Sequence, residues 1–133
     1  MAVDQLLYIY VLNEEDYPAN AVIVREGSKG DWIYVILEGN VKVKKNTKKG
    51  MVTIGTLKQG DIIGEMALFD VVVSERIRTA SAIADGPVKV GVLDTNRLLK
   101  DFESVSPQLK GLIKSLVMRL KETTNRAVKL AMT

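Results

Sequence analysis

Short apolar runs separated by glycine-containing turns dominate the chain from about residue 17 to residue 94. Several runs are predicted to alternate between the two sides of a strand, with Ile33, Val35 and Leu37 facing one side, which is typical of strands with one buried face. The predicted strands are residues 21–24, 33–37, 41–45, 52–57 and 88–93. Repeated short strands with glycine turns predict an all-β sandwich or roll over this region.

Glycines stand where these predicted strands end or reverse, because glycine adopts a positive φ without steric cost. Two hairpin loops are predicted on this basis, at residues 38–40 and 46–50. A short helix is predicted at residues 65–69, directly after Gly64.

After Asp94 the pattern becomes helical. Thr95 is the predicted N-cap of a helix that breaks near residues 104–107, and Pro107 suits the first position of a second helix that continues to about residue 131. Steps of four and three residues define a heptad seam along the second helix, made of Leu109, Ile113, Leu116, Leu120, Thr123, Ala127 and Leu130. A second line is predicted to pack on the β-core, made of Leu112, Val117, Val128 and Ala131. The seam predicts a homodimer; a monomeric amphipathic helix is the alternative.

The composition bounds the class of protein. The 133 residues have the size of one domain, so residues 1–133 are expected to form one unit, with the β part at about 17–94 and the helices at about 95–131. Neither cysteine nor histidine occurs, which excludes disulfides, thiolate and imidazole metal sites, and triads of the Ser-His-Asp type. No secretory leader or membrane-spanning run is recognisable, so we expect a cytoplasmic protein with no membrane partner.

The net charge is +3, and much of the positive excess lies in one lysine-rich segment. Its members are Lys42, Lys44, Lys45, Lys48 and Lys49. Such a segment is either a solvated hairpin tip or a contact for a polyanion.

The stretch GDIIGEMALF at residues 60–69, followed by RTA at 78–80, carries the most informative chemistry. Gly64 lets a backbone come close to a ligand, and the N–H groups of a helix beginning at Glu65 favour an anion. Arg78 adds a fork of donors for the same anion. The Glu65 carboxylate would repel an anion unless it faced something else, and a ribose hydroxyl is a natural partner for it. One anion and one hydroxyl together indicate a nucleotide.

These segments resemble the cyclic nucleotide-binding domain family. The resemblance rests on YP at 17–18, VIVREG at 22–27, GD at 30–31, IYVILEG at 33–39, and the two stretches at 60–69 and 78–80. The C-terminal part is similar to the sensor domain of the catabolite activator protein and the Crp-Fnr regulators. The resemblance implies a mainly β fold with flanking helices: a double-stranded β-helix, or jelly-roll-like β-roll, followed by a long C-terminal dimerisation helix.

The resemblance also implies roles for individual residues. Glu65 would bond the ribose 2′-hydroxyl, Arg78 would pair with the cyclic phosphate beside Thr79, and backbone N–H groups of Ala67 and Ala80 would reach the phosphate oxygens. The expected ligand-binding set is Gly64, Glu65, Met66, Ala67, Arg78, Thr79, Ala80, Thr123 and Thr124.

Thr123 and Thr124 match a pair that contacts adenine in the activator, although a threonine at a seam position is often only a tolerated small residue. The loop after Phe69 is longer than the family pattern and contains the apolar run 71–73, Val71 to Val73, which makes Arg76 a rival of Arg78. The spacing from Arg78 to Asp94 fits the family, so Arg78 is preferred.

The leading hypothesis is a regulatory sensor that binds cyclic AMP, favoured over cyclic GMP, and thereby repositions its C-terminal helix. It has no catalytic residues, no metal and no cofactor beyond this ligand. Because no recognition helix follows the dimer helix before Thr133, we expect no direct binding of nucleic acid by this chain. One alternative is a degenerate β-roll used only for dimerisation or docking. A small cupin-like enzyme is a third hypothesis, but it would need a carboxylate cluster that the sequence does not offer.

Overall fold

The computed structural model describes residues 5–28, 32–64 and 80–132. These residues form a short helix α1 (Gln5–Tyr8), six antiparallel strands and two further helices. The strands are β1 (Val11–Tyr17), β2 (Val22–Val24), β3 (Ile33–Thr47), β4 (Gly50–Leu57), β5 (Ile62–Ile63) and β6 (Ser81–Leu93). The helices are α2 (Thr95–Glu103) and α3 (Pro107–Met132). The main path of the sheet runs β1-β6-β3-β4, while β2 pairs with β6 and β5 pairs with β3.

β3 is one strand of 15 residues, so the predicted hairpin loop at residues 38–40 is wrong. The pairing of β3 with β6 shifts register on both sides of Glu38, and Gly39 has a φ of +94°. The glycine therefore marks a bulge that bends a continuous strand instead of a turn that ends it. The second predicted loop is confirmed: Thr47 pairs with Gly50 across a turn made of Lys48 and Lys49.

The first strand begins at Val11, earlier than the predicted start of the β part near residue 17. β1 pairs with β6 over Val11–Tyr17, opposite residues 88–93. Most of its side chains are exposed, so it lacks the alternation of buried residues that identified the other strands.

The centre of the sheet is buried on both faces, which corrects the expectation of one buried face per strand. Val35 and Ile36 are neighbours in β3 that point to opposite faces, and both are fully buried. One core cluster contains Ile36, Val41, Val88 and Val90 among others, and the other contains Ile33, Val35 and Leu93.

α2 begins after Asp94, not after Thr95. The Arg97 N–H donates to the Asp94 carboxylate over 3.1 Å, so the N-cap is Asp94 and not the predicted Thr95. α2 is also tied to the N-terminal segment, because the Tyr10 hydroxyl donates to the Asp101 carboxylate over 2.5 Å and the Arg97 guanidinium lies 5.4 Å from the centre of the Tyr10 ring.

α3 begins at Pro107, as predicted, and contacts β4 and β3. The Leu109 N–H donates to the Ser106 hydroxyl over 3.2 Å, which caps this helix. Leu112 was predicted to pack on the β-core, yet its side chain is 56% exposed. Ile113 of the predicted seam is half-buried, as is Val117. The exposed leucine stripe of the first turns is therefore Leu109, Leu112 and Leu116.

Candidate functional site

The segment that leads into the predicted ligand site is a tight turn followed by β5. Gly60, with a φ of +92°, donates its N–H to the Ile36 carbonyl over 2.8 Å. The Asp61 carboxylate accepts the Lys58 N–H over 2.8 Å, and β5 then pairs with Tyr34 and Val35 of β3. The turn is thus held both by its own hydrogen bonds and by the central strand.

Gly64 leaves β5 with a φ of +91°, a left-handed conformation that a residue with a Cβ rarely adopts. The prediction that the backbone turns at Gly60 and Gly64 is therefore confirmed. This backbone leads directly into the stretch that the sequence assigns to ligand binding.

The structure contains only part of the predicted site. Gly64, Ala80, Thr123 and the backbone of Thr124 lie within it. Outside the described residues lie Glu65, Met66, Ala67, Arg78 and Thr79, together with the predicted helix at 65–69, the apolar run 71–73 and Arg76.

The other end of the predicted site joins β6. Ala80 is half-buried, and Ser81 begins β6 with only 3% of its surface exposed. Ser81 lies opposite Lys44 of β3, and its hydroxyl accepts the Glu26 backbone N–H over 2.8 Å. The two ends, Gly64 and Ala80, are thus both anchored through strands that pair with β3, on either side of its bulge.

Glu26 joins this end of the site to the hairpin made by β3 and β4. Its carboxylate accepts the Asn46 N–H over 2.8 Å, and its other oxygen lies 3.4 Å from the Lys45 ammonium. The side chains of Lys45 and Glu26 are 22% and 25% exposed, whereas those of the Lys42–Asp85 pair are 45% and 48% exposed. The Glu26 pair is therefore less screened by solvent than the other.

The lysine-rich segment has two parts in the structure. Lys48 and Lys49 are exposed at the hairpin turn, as the interpretation of a solvated tip predicts. Lys42 and Lys45 form ion pairs with acids from elsewhere in the chain. Sequence reasoning assigned no role to Glu26. One signal was available. Residues 41–60 contain six lysines and no acidic residue, so an acid elsewhere that follows a predicted strand, such as Glu26, is a candidate partner for one of these lysines.

Thr123 lies on α3 with its side chain exposed, and its hydroxyl donates to the Arg119 carbonyl over 2.9 Å. Because the hydrogen of this hydroxyl is engaged within the helix, its oxygen is left to accept a hydrogen bond. The arrangement suits a partner that donates, such as an amino group.

Among the described residues no group of three or more Asp and Glu side chains could hold a metal ion. None of the described helices has the length and apolar character needed to cross a bilayer.

The sequence model of the cyclic nucleotide-binding domain family matches residues 14–104 of this chain. The match covers most of the chain, including every described strand from β2 to β6 and both ends of the predicted site. The chain belongs to the cyclic nucleotide-binding domain family.

Relatives carry the same domain in different settings. The chain is 29% identical over 126 residues to a CRP-like cAMP-activated global transcriptional regulator of Mycobacterium tuberculosis, covering 92% of this chain and 53% of that protein. It is 38% identical over 101 residues to the cGMP-dependent protein kinase egl-4 of Caenorhabditis elegans, covering 71% of this chain and 12% of the kinase. The chain thus spans about half or less of the length of these relatives.

Solved structures agree with the fold. A cyclic nucleotide-binding domain from Methylobacillus flagellatus superposes with a TM-score of 0.66 at 29% identity, covering 94% of this chain and 70% of that one. The cAMP-bound form of the EAL enzyme Bd1971 superposes with a TM-score of 0.74 at 27% identity, covering 89% of this chain and 31% of that one. The mainly β architecture with helices is therefore the β-roll of this family.

Proposed function

We propose that this chain is a regulatory sensor domain that binds one cyclic nucleotide, cyclic AMP in preference to cyclic GMP, and is not an enzyme. The observation that carries the proposal is the left-handed backbone at Gly64, which leaves β5 inside a segment matched by the family model. Only a backbone without a Cβ bends in this way at low cost, and such a bend lets consecutive N–H groups approach an anion.

The proposed ligand contacts are those that the sequence suggested. The Arg78 guanidinium neutralises the cyclic phosphate, and the Glu65 carboxylate accepts a hydrogen bond from the ribose 2′-hydroxyl. Backbone and side-chain contacts complete the proposed set, which is Gly64, Met66, Ala67, Thr79, Ala80, Thr123 and Thr124.

The preference for cyclic AMP follows from Thr123. Adenine presents an amino donor at its 6-position, whereas guanine presents a carbonyl acceptor there. The Thr123 hydroxyl donates to the Arg119 carbonyl, so its oxygen can accept from adenine without giving up that bond. A guanine carbonyl would instead compete for the same hydrogen. Both nucleotides occur in the names of relatives, one a cAMP-activated regulator and the other a cGMP-dependent kinase.

The proposed response is a shift of α3. This helix follows the break at Ser104–Ser106, and in the described part of the chain it packs mainly on β4 and β3. The exposed stripe of Leu109, Leu112 and Leu116 supports a homodimer through the same helix. In this proposal residues 1–133 act as one cytoplasmic domain without nucleic-acid or membrane partners.

Isothermal titration with cyclic AMP and cyclic GMP tests the proposal. We expect one site per chain and tighter binding of cyclic AMP. Absence of heat with either nucleotide at millimolar concentration would overturn the sensor function, and an intact dimer under those conditions would favour a degenerate β-roll used for docking.

Arg78→Ala and Arg76→Ala form a matched pair, since both remove one arginine from the same segment. Loss of a charge-assisted contact to phosphate is worth about 1.5–3 kcal/mol, so Arg78→Ala should weaken binding by roughly 10- to 150-fold. Arg76→Ala should bind like the wild type; the reverse result would transfer the phosphate role to Arg76.

A further inference from the structure

Glu26 connects three separate parts of the chain. Its backbone N–H donates to the buried Ser81 hydroxyl, and its carboxylate holds both the Asn46 N–H and the Lys45 ammonium. The three parts are the end of β2, the hairpin of β3 and β4, and the first residue of β6.

The hydrogen bond from Glu26 to Ser81 links the chain after β2 to β6 at the point where the backbone pairing of β2 and β6 ends. β2 pairs with β6 through Val22 opposite Ile83 and Val24 opposite Ala82, and the pairing does not continue to Ser81. Beyond Val24 the Glu26–Ser81 hydrogen bond joins the two segments. Ser81 is 3% exposed, so a shift that separated its hydroxyl from the Glu26 N–H would leave a buried polar group unsatisfied. Any residue other than proline has this N–H, so the Glu26 side chain acts by fixing where the N–H lies, through Asn46 and Lys45.

Ser81 is covalently adjacent to the proposed site. Ala80 precedes it directly, and Arg78 is three residues before it in the sequence. Displacement of the start of β6 would therefore move the proposed phosphate contacts.

We propose that Glu26 is a positioning residue for the ligand site: its carboxylate holds Asn46 and Lys45, this places its backbone N–H on the Ser81 hydroxyl, and the start of β6 is thereby fixed together with the residues proposed to bind the cyclic phosphate. This role rests on the proposed function. Glu26 itself does not contact the ligand in this proposal. Its acidic side chain is kept from repelling the phosphate by the ammonium of Lys45.

The test compares Glu26→Ala, Glu26→Gln and Asp85→Ala by titration with cyclic AMP. Glu26→Ala should weaken binding by about tenfold, within the range that outer-shell partners contribute at other sites. Glu26→Gln keeps an acceptor for the Asn46 N–H and should stay within about threefold of the wild type, since the neutral acceptor retains most of that bond. Asp85→Ala breaks the exposed ion pair between Asp85 of β6 and Lys42, which lies on β3 as Lys45 does, and should leave the affinity unchanged.

Urea unfolding of each variant separates positioning from loss of folding. Reversible unfolding raises the apparent Kd only by the reciprocal of the folded fraction, so a Glu26→Ala protein that is almost fully folded and still binds one ligand per chain at a higher Kd has a displaced site. An unchanged Kd for Glu26→Ala would overturn the proposal while leaving the sensor function intact. Tighter binding would overturn it too, because removal of a negative charge near the site would then matter more than the position of β6. If the wild type binds no cyclic nucleotide, the sensor function fails first, together with this role.

Discussion

Gly39 illustrates how a single missing side chain permits the bend of β3. A Cβ at this position would overlap the Pro87 carbonyl oxygen of β6 and crowd Val88, and the φ of +94° is unfavourable for any residue with a Cβ. The Pro87 oxygen belongs to the backbone of β6, which is paired with β3 here, so it cannot move aside as a flexible side chain would.

We therefore expect Gly39→Ala to lower the free energy of unfolding by about 3 kcal/mol, combining about 1–2 kcal/mol of backbone strain with the cost of overpacking. Gly50→Ala is the matched control, because Gly50 has a φ of +101° but nothing within 4 Å of the position of its Cβ. It should cost only about 1–2 kcal/mol from backbone strain. Urea unfolding measures both, and equal losses would show that the contact with Pro87 is unimportant.

Tyr17 carries a second prediction at the scale of the residue. Burial raises the pKa of its hydroxyl, and the hydrogen bond that it donates to Glu15 over 2.9 Å raises this pKa further. In the unfolded chain the pKa of tyrosine is about 10. Between the two pKa values the folded state retains a proton that the unfolded state has lost, so the folded state is destabilised as the pH rises.

The free energy of unfolding should consequently fall as the pH rises above about 10, and it should fall less steeply in Tyr17→Phe. The comparison of slopes isolates Tyr17, because Tyr8 and Tyr10 also have raised pKa values but are unchanged in the variant. Urea midpoints at a series of alkaline pH values provide the measurement. Parallel slopes in the two proteins would contradict the prediction.

At the scale of the element, the helix α3 presents two different faces. Leu112 and Leu116 are 56% and 55% exposed, whereas Val117 is half-buried. Exposed leucines at helical spacing cost little in a monomer and bury apolar area when a second helix covers them.

We expect the double variant Leu112→Gln, Leu116→Gln to shift the protein from dimer to monomer without lowering the stability of the monomer. Val117→Gln is the control: it should lower the free energy of unfolding by about 1–3 kcal/mol, because a polar amide would be placed in a partly buried position. Light scattering after size exclusion measures the assembly, and urea unfolding measures the stability. A wild-type protein that is monomeric at all accessible concentrations would contradict the homodimer.

Strands rich in apolar residues and bounded by glycines could be predicted from the sequence, because such short runs form the buried centre of a sheet. β1 could not be predicted, since it is an edge strand in which residues 12–14 are all exposed and the pairing with β6 depends on backbone hydrogen bonds. The bulge at Gly39 was mistaken for a turn because a glycine with positive φ serves both, and only the pairing with β6 distinguishes them.

The candidate site was predictable where residue type alone restricts the chemistry. The glycines at 60 and 64 were correctly predicted to turn the backbone, because a positive φ selects glycine. Glu26 was missed, because its contacts with Lys45, Asn46 and Ser81 depend on which strands become neighbours in space, and nothing in its local sequence encodes that. Leu112 was assigned to the wrong face of α3. Leu112 and Ile113 are adjacent apolar residues, and a small rotation of the helix decides which of them is buried.

At the scale of the whole molecule, the proposed ligand and the proposed partner subunit use the same helix. Thr123 of α3 is a proposed contact to the base, and the stripe of Leu109, Leu112 and Leu116 is the proposed dimer interface. A helix that is held by the ligand is already ordered for the partner, so the two binding events are expected to favour each other.

Thermodynamic linkage makes this expectation quantitative. If cyclic AMP tightens the dimer by a given factor per site, dimerisation must tighten the binding of cyclic AMP by the same factor. We expect a factor of about tenfold, within the usual range of coupling free energies. Sedimentation equilibrium with and without saturating cyclic AMP gives one side of the cycle. Titration of the wild type and of the Leu112→Gln, Leu116→Gln monomer gives the other. Equal dimer dissociation constants with and without ligand, while both forms bind cyclic AMP, would mean that α3 carries two independent surfaces and that its position does not report the ligand.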